Sequence, residues 1–263
     1  MAKPYDTLLI ERDQGVTTVT LNRPELHNAF NEAMIAELAR AFAEFGKDPG
    51  TRVIVLAGAG ESFCAGADLN WMKKVASYTP AQNKTDALKL HKMLLAVYRC
   101  PKPVIARIDG AVLGGGAGLV AAVDMAFANQ DALFGFTEVR LGLIPAVISP
   151  FVVRKIGEAN AREYFLTGEK FTALRAQEMG LIQYQGTPEY VYEKLQDKIR
   201  ELKKGAPMAL ADCKKLIEKV GGQALDKIGA YTAGQIAARR GSKEGKEGMV
   251  AFLTKRKPDW MGG

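Results

Sequence analysis

The chain has 263 residues, 48% of them apolar and 25% charged, enough to bury a sizeable core and ordinary for a globular protein. Disorder, collagen and coiled coil are excluded as its main architecture. The 36 Lys+Arg against 29 Asp+Glu leave a net charge of +7, a mild surplus that suits an anionic small molecule as well as nucleic acid. Cys64, Cys100 and Cys213 form no CxxC pair, so neither a disulfide framework nor a zinc knuckle is suggested, and a reducing cytoplasm is the simple expectation. No apolar run approaches the length of a membrane span, and the first residues lack the apolar segment of a signal peptide.

In chain order, Leu8–Glu11 and Val16–Leu21 read as a hairpin around Gln14-Gly15. Asn28 to Phe45 reads as a helix from Met34, Leu38, Phe42 and Phe45, stopped by Gly46. Arg52–Leu56 is a short buried-type strand, Pro80–Tyr98 a second helix, and Val104–Ile108 another strand. Met125–Ala128 and Leu133–Phe136 add two more. After about residue 140 helical patterns follow one another: Pro145–Ile156, Ala159–Leu166, Thr172–Met179, Pro188–Lys204, Met208–Val220, Ala224–Arg239 and Lys243–Lys255. Only Leu181–Tyr184 reads as a strand there. The pattern is an α/β core of residues 1–204 followed by a helical region of residues 205–263, with a boundary near Gly205–Pro207.

Several chemistries are disfavoured. His27 and His91 are the two histidines, without HxxxH spacing, and there is no GxSxG elbow or P-loop. Leu119 stands where GxGxxG needs its last glycine. His91 shares a helix face with Leu88 and Leu95 and reads as partly packed, while Trp71 and Met72 suit core or pocket lining equally.

Three features could carry chemistry. Cys64-Ala65-Gly66-Ala67-Asp68-Leu69 is a small-residue turn placed after the strand at 52–56 and before a helical pattern. Gly114-Gly115-Gly116-Ala117-Gly118 follows the strand at 104–108 and opens an apolar helix, Leu119–Val123. Glycine admits positive φ and close backbone approach, and a helix start leaves N–H donors unpaired. Two such turns could aim one N–H each at a single oxygen, although each alone equally permits tight strand–helix packing. The third feature is Glu138, between a strand and an apolar Pro-containing segment. A carboxylate against an apolar wall has its pKa raised toward proton-transfer values. The competing reading is a helix-start acid or an ion pair with Arg140.

In this order and spacing the motifs resemble the crotonase (enoyl-CoA hydratase/isomerase) superfamily over nearly the whole chain. The resemblance rests on Leu21-Asn22-Arg23-Pro24 with Asn28-Ala29, Phe63 to Leu69, Pro103 to Ala106, Asp109-Gly110, Gly114 to Gly116, Asp124, and Glu138 with Leu141 to Pro145. It continues through Leu166-Thr167-Gly168, Ala176 to Ile182, Glu247-Gly248 and Ala251 to Pro258. It implies a spiral of ββα units and a helical C-terminal region that drives trimerisation, with two trimers stacking into a hexamer. It implies an acyl-CoA thioester substrate and no cofactor, coenzyme A being part of that substrate; no metal, membrane or nucleic-acid partner is expected. By position Ala67 and Gly115 match the two thioester-oxygen donors, and the run Ala67, Asp68, Leu69, Asn70 matches the acyl-CoA contact segment. Glu138 matches the second of two acid/base glutamates. Arg23 to His27 matches the loop around CoA, and Phe252 and Lys255 match residues that hold the CoA of a neighbouring subunit.

One position departs from the pattern: Gly118 stands where simple hydratases carry the first glutamate. A single Glu138 suffices to activate water and then protonate Cα, which is a hydratase, or to shuttle a proton from Cα to Cγ, which is a 3-enoyl to 2-enoyl-CoA isomerase. The helix read over Val139–Ile156 further resembles bacterial methylglutaconyl-CoA and carboxygeranoyl-CoA hydratases. A distal carboxylate on the substrate would then need a cation, for which Lys73, Lys74 and Arg140 are candidates.

Overall fold

The structure, a computed structural model, describes residues 4–262. Two sheets alternate along the chain. The hairpin β1 (Leu8–Asp13) and β2 (Val16–Leu21) begins a six-stranded sheet that continues in parallel through β3 (Val53–Gly58), β5 (Val104–Ile108), β7 (Met125–Asn129) and β10 (Tyr184–Gly186). After each of β3, β5 and β7 the chain crosses to a four-stranded sheet of β4 (Ser62–Cys64), β6 (Ala111–Leu113), β8 (Leu133–Gly135) and β9 (Lys170–Thr172). Strands β4, β6 and β8 are mutually parallel, and β9 closes the sheet antiparallel. Each of these strand pairs is followed by helix, which makes a succession of ββα units, as the resemblance implies.

Side-chain alternation builds two cores from the same strands. Ile54, Leu56, Val104 and Ala106 face the main core, with α1 (Glu32–Phe45) and α3 (Pro80–Tyr98) packed beside them. Val53, Val55, Ile105 and Phe127 face the other way, against Val191, Leu195 and Ile199 of α7 (Pro188–Lys204). Burial on both faces explains the unbroken apolar runs of these parallel strands.

Several sequence-based boundaries move. The helix expected from Asn28 starts at Glu32, capped by Asn31, which accepts from the Met34 amide at 2.9 Å. Asn28 has φ +54° and Phe30 bridges Ala67, so residues 28–31 serve the site rather than the helix. The apolar helix α4 runs Gly115–Ala122 and so begins on the glycine run itself, not at Leu119. Over Val139–Ile156 there is no single helix: Glu138–Leu141 is a short 3-10 turn ended by Gly142 in the left-handed region, and α5 begins only at Ser149. α5 then runs to Thr167 across a break at Gly157 (φ +77°), which separates the two helices read there. The late strand is Tyr184–Gly186 rather than Leu181–Tyr184, and Lys170–Thr172 is a second one, so the region after residue 140 holds two strands.

The remaining helices are α2 (Leu69–Ala76), α6 (Ala173–Glu178), α8 (Pro207–Val220), α9 (Leu225–Gly241) and α10 (Lys243–Leu253). Arg52 ties the C-terminal part to β3, donating to the carbonyls of Lys203, Gly205 and Trp260 at 2.8–3.1 Å.

Candidate active site

The small sheet positions the three chemical features. β4, β6 and β8 are neighbours running in one direction, so their C-terminal ends lie side by side. Ala67 lies three residues past β4, Gly115 two past β6 and Glu138 three past β8. Ligands of parallel α/β sheets sit at such C-terminal ends. The two motif turns therefore follow the short strands β4 and β6, not the long strands β3 and β5 to which the sequence attached them.

Close backbone packing joins the turns. The Gly114 amide donates to Gly135 O at 2.9 Å, linking the ends of β6 and β8. A Cβ on Gly116 would lie 2.4 Å from Cys64 O, so only glycine lets α4 approach β4 this closely. Gly114 itself has φ +50°, ψ −118°, a conformation side chains avoid. Cys64 is fully buried and burial pushes its thiol up to about 12, which removes it as a nucleophile.

Both candidate donors are left available by this geometry. The bridge to Phe30 is made by the Phe30 amide on Gly66 O (2.7 Å) and the Asp68 amide on Phe30 O (2.9 Å). In a parallel bridge of this pattern Ala67 turns its own N–H away from Phe30. Gly115 is the first residue of α4, so its amide belongs to the unpaired N-terminal donors of the helix. Phe30 also packs on Gly115, its Cδ2 3.0 Å from where a Cβ would stand, so one residue touches both turns, the first by its backbone and the second by its ring. At the far end of α4, Lys155 Nζ donates to Val123 O at 2.6 Å; burial lowers its pKa to about 8.

Glu138 borders the second turn: its Oε1 lies 3.3 Å from the Cβ position of Gly114. Its Oε2 is buried and, among the described residues, has no hydrogen-bond partner, and no ion pair to Arg140 forms. Burial raises the Glu138 pKa above the ordinary carboxylate value, against a weaker downward pull from its own amide. A partly buried carboxyl with one unpartnered oxygen is a capable proton carrier.

The supporting loop is heavily bonded. Arg23 donates to Asp68 Oδ2 at 2.7 Å and to Ala29 O at 2.6 Å. Asn28 is buried and holds the carbonyls of Ala59 and Ser62. Asp68 caps α2 through the amides of Asn70 and Trp71. Burial opposes its ionisation, but Arg23 and these amides outweigh it and hold its pKa below the ordinary value. The Asp68 carboxylate and amide are thus committed to holding the turn, whereas Leu69 and Asn70 stand exposed beside it. Phe252 and Lys255 are exposed at the end of α10, which packs on α8 and α9; among the described residues no hydrogen bond joins them to the Ala67 turn.

One side chain at the site escaped the sequence reading. Ile148 fills the position of the absent first glutamate: a Cβ on Gly118 would lie 2.1 Å from Ile148 Cγ2 and 2.6 Å from its Cβ. Ile148 is 2% exposed. There is no room for a carboxylate there. Trp71 has a buried Nε1 without a partner among the described residues. Of the candidate cations, Lys74 is engaged with Glu32 at 2.6 Å, Lys73 is exposed, and Arg140 lies along Gly168.

Comparison with known proteins decides the family. The model of the enoyl-CoA hydratase/isomerase family matches residues 11–263. The chain belongs to that family. A curated relative named putative enoyl-CoA hydratase from Thermus thermophilus is 34% identical over 95% of this chain and 99% of its own length. The 1,2-epoxyphenylacetyl-CoA isomerase of Escherichia coli is 32% identical, covering 97% and 98%. Among solved structures, an enoyl-CoA hydratase from Shewanella pealeana superposes with a TM-score of 0.94 at 38% identity, covering 97% of this chain and 96% of that one. The chain is accordingly an enzyme of the enoyl-CoA hydratase type that shares the crotonase fold.

Proposed function

We propose that this enzyme adds water to, or removes it from, a 2-enoyl-CoA thioester with one carboxyl group. The amides of Ala67 and Gly115 hold the thioester oxygen as an oxyanion hole. The Glu138 carboxylate takes a proton from water as the water oxygen bonds to Cβ. The Cα=Cβ electrons move to the thioester, giving an enolate whose oxygen rests on the two amides. Glu138, now protonated, returns that proton to Cα. The observation that carries this reading is the delivery of two free amides and one dry carboxyl by three adjacent parallel strands. Each positioned donor contributes about 3–4 kcal/mol of transition-state stabilisation in comparable sites.

Leu69 and Asn70 line the approach, and Phe252 and Lys255 reach the CoA of a neighbouring copy in a trimer or hexamer. A branched or carboxylated acyl group, such as methylglutaconyl, is the substrate class the segment around Ile144–Val153 favours by resemblance. The filled niche at Gly118 also suits isomerisation, since one carboxyl is enough to carry a proton from Cα to Cγ. Mass spectrometry of a panel of 2-enoyl- and 3-enoyl-CoA esters separates the two. Gain of one water by a 2-enoyl ester is expected; migration of the double bond at unchanged mass, without hydration of any ester, overturns the hydratase reading.

A further inference from the structure

Trp71 Nε1 is one of three buried side-chain polar atoms without a hydrogen-bond partner among the described residues; the others are Glu138 Oε2 and Arg107 Nε, the last 3.9 Å from the Asp109 carboxylate. A buried indole N–H left without an acceptor is costly, and such groups ask for an explanation. Trp71 is in the first turn of α2, with its backbone amide on Asp68 Oδ1 at 3.2 Å. Leu69, Asn70, Lys73, Lys74 and Ala76 of that helix are exposed, which leaves Trp71, Met72 and Val75 as the face turned into the protein. The partly buried ring packs against the main core. Three residues separate it from Ala67, and Asp68, which caps its helix, directly follows the amide assigned to the thioester oxygen.

We infer that Trp71 Nε1 donates a hydrogen bond to an oxygen carried by the acyl group beyond Cβ, which makes Trp71 a specificity-determining residue for acyl-CoA esters bearing such an oxygen. The inference rests on the acyl-CoA reading of the Ala67 turn. The nearby cations do not compete for the role: Lys74 is held by Glu32, Lys73 faces outward and Arg140 lies along Gly168. A neutral donor satisfies an ester, ketone or hydroxyl oxygen fully and a carboxylate only in part, because one N–H does not offset the burial of a charge. Sites that hydrogen-bond a substrate oxygen discriminate strongly against analogues lacking it, since the donor is then stranded.

The test uses the full chain, wild type and Trp71→Phe, with three trans-2-enoyl-CoA esters of matched length: plain alkyl, terminal carboxylate and its methyl ester. Wild type is expected to favour at least one oxygen-bearing ester over the alkyl one by about tenfold or more in kcat/KM, and Trp71→Phe to bring that ratio close to one. The ratio of the methyl ester to the carboxylate tells which oxygen is accepted. No preference in wild type, or an equal loss on all three esters in Trp71→Phe, overturns the inference. If no ester is hydrated, the hydratase reading fails separately. Calorimetric binding of the corresponding saturated esters to wild type then still decides the role of Trp71 by the same preference.

Discussion

Gly114 and Gly118 stand four residues apart at the start of α4, and they meet opposite surroundings. Beside Gly114 lies a carboxyl oxygen of Glu138 at 3.3 Å from the Cβ position. Beside Gly118 lies the aliphatic Ile148, close enough that any Cβ would have to displace it. The first region leaves the buried Oε2 of Glu138 without a partner among the described residues, a cost that the proposed proton transfer would explain. The second is filled as protein interiors are filled. The same residue type thus borders the candidate proton carrier at one end of a helical turn and is required by packing at the other.

The comparison is broken most directly by Glu138→Gln. If the Gly114 side holds the proton carrier, turnover falls by roughly 10²–10⁴ while the affinity for a saturated CoA ester stays nearly constant. Steady-state kinetics and calorimetry check both halves. Turnover within threefold of wild type removes Glu138 from the mechanism and leaves the Gly114 side as unexplained as an orphan carboxyl can be.

Packing is tested on the Gly118 side. Gly118→Ala is expected to destabilise the chain by about 1–3 kcal/mol through overpacking against Ile148, and Gly118→Glu by more, because a charge would also be buried. Ile148→Gly should partly rescue Gly118→Glu, a non-additivity that urea denaturation of the single and double variants measures. A well-folded, more active Gly118→Glu single variant would contradict the structure at this point.

Much of this was legible in sequence, and the parts that were not share a cause. α3 and α7 and the strand Val104–Ile108 were read to the residue, because their periodicity and flanking prolines are local signals. The two small-residue turns and Glu138 stand out by composition and order, and the family resemblance picks Ala67 and Gly115 within those turns. The three-residue strands β4 and β6 are too short to show a period, yet they are what bring the three together. The displaced start of α1 depends on Phe30 pairing with Ala67, 37 positions away in number but adjacent in space. The Ile148–Gly118 contact and the isolation of Trp71 Nε1 are likewise tertiary facts with no local trace.

A smaller effect is expected where the turn is merely held in place. Asp68→Ala removes the α2 cap and the partner of Arg23, and loss of such a cap costs about 0.5–2 kcal/mol. Its folded pKa is held below the ordinary value, so this stability is present above the unfolded carboxylate pKa and is lost as pH falls through the folded one. Wild type and Asp68→Ala should therefore converge in Tm only in the acid range, which thermal melts across pH would check. Catalysis should decline through poorer placement of Ala67, less than in Glu138→Gln.

The smallest effect has the opposite sign and returns to the Gly114 side. Burial raises the Glu138 pKa, so the folded state holds that proton more tightly than the unfolded chain. Its ionisation then weakens the fold: stability is lost as pH rises through the unfolded pKa toward the folded one, and the deficit persists at neutral pH. Glu138→Gln removes the ionisable group and should raise Tm slightly at neutral pH while matching wild type below the ordinary carboxylate range. The same raised pKa places the acidic limb of kcat/KM for hydration above the usual carboxylate value, because the base form must be free to take the proton from water. Should Glu138→Gln instead lower Tm at neutral pH, the carboxylate would have to be accepting a stabilising bond, and the contrast between the two glycines would collapse into packing on both sides.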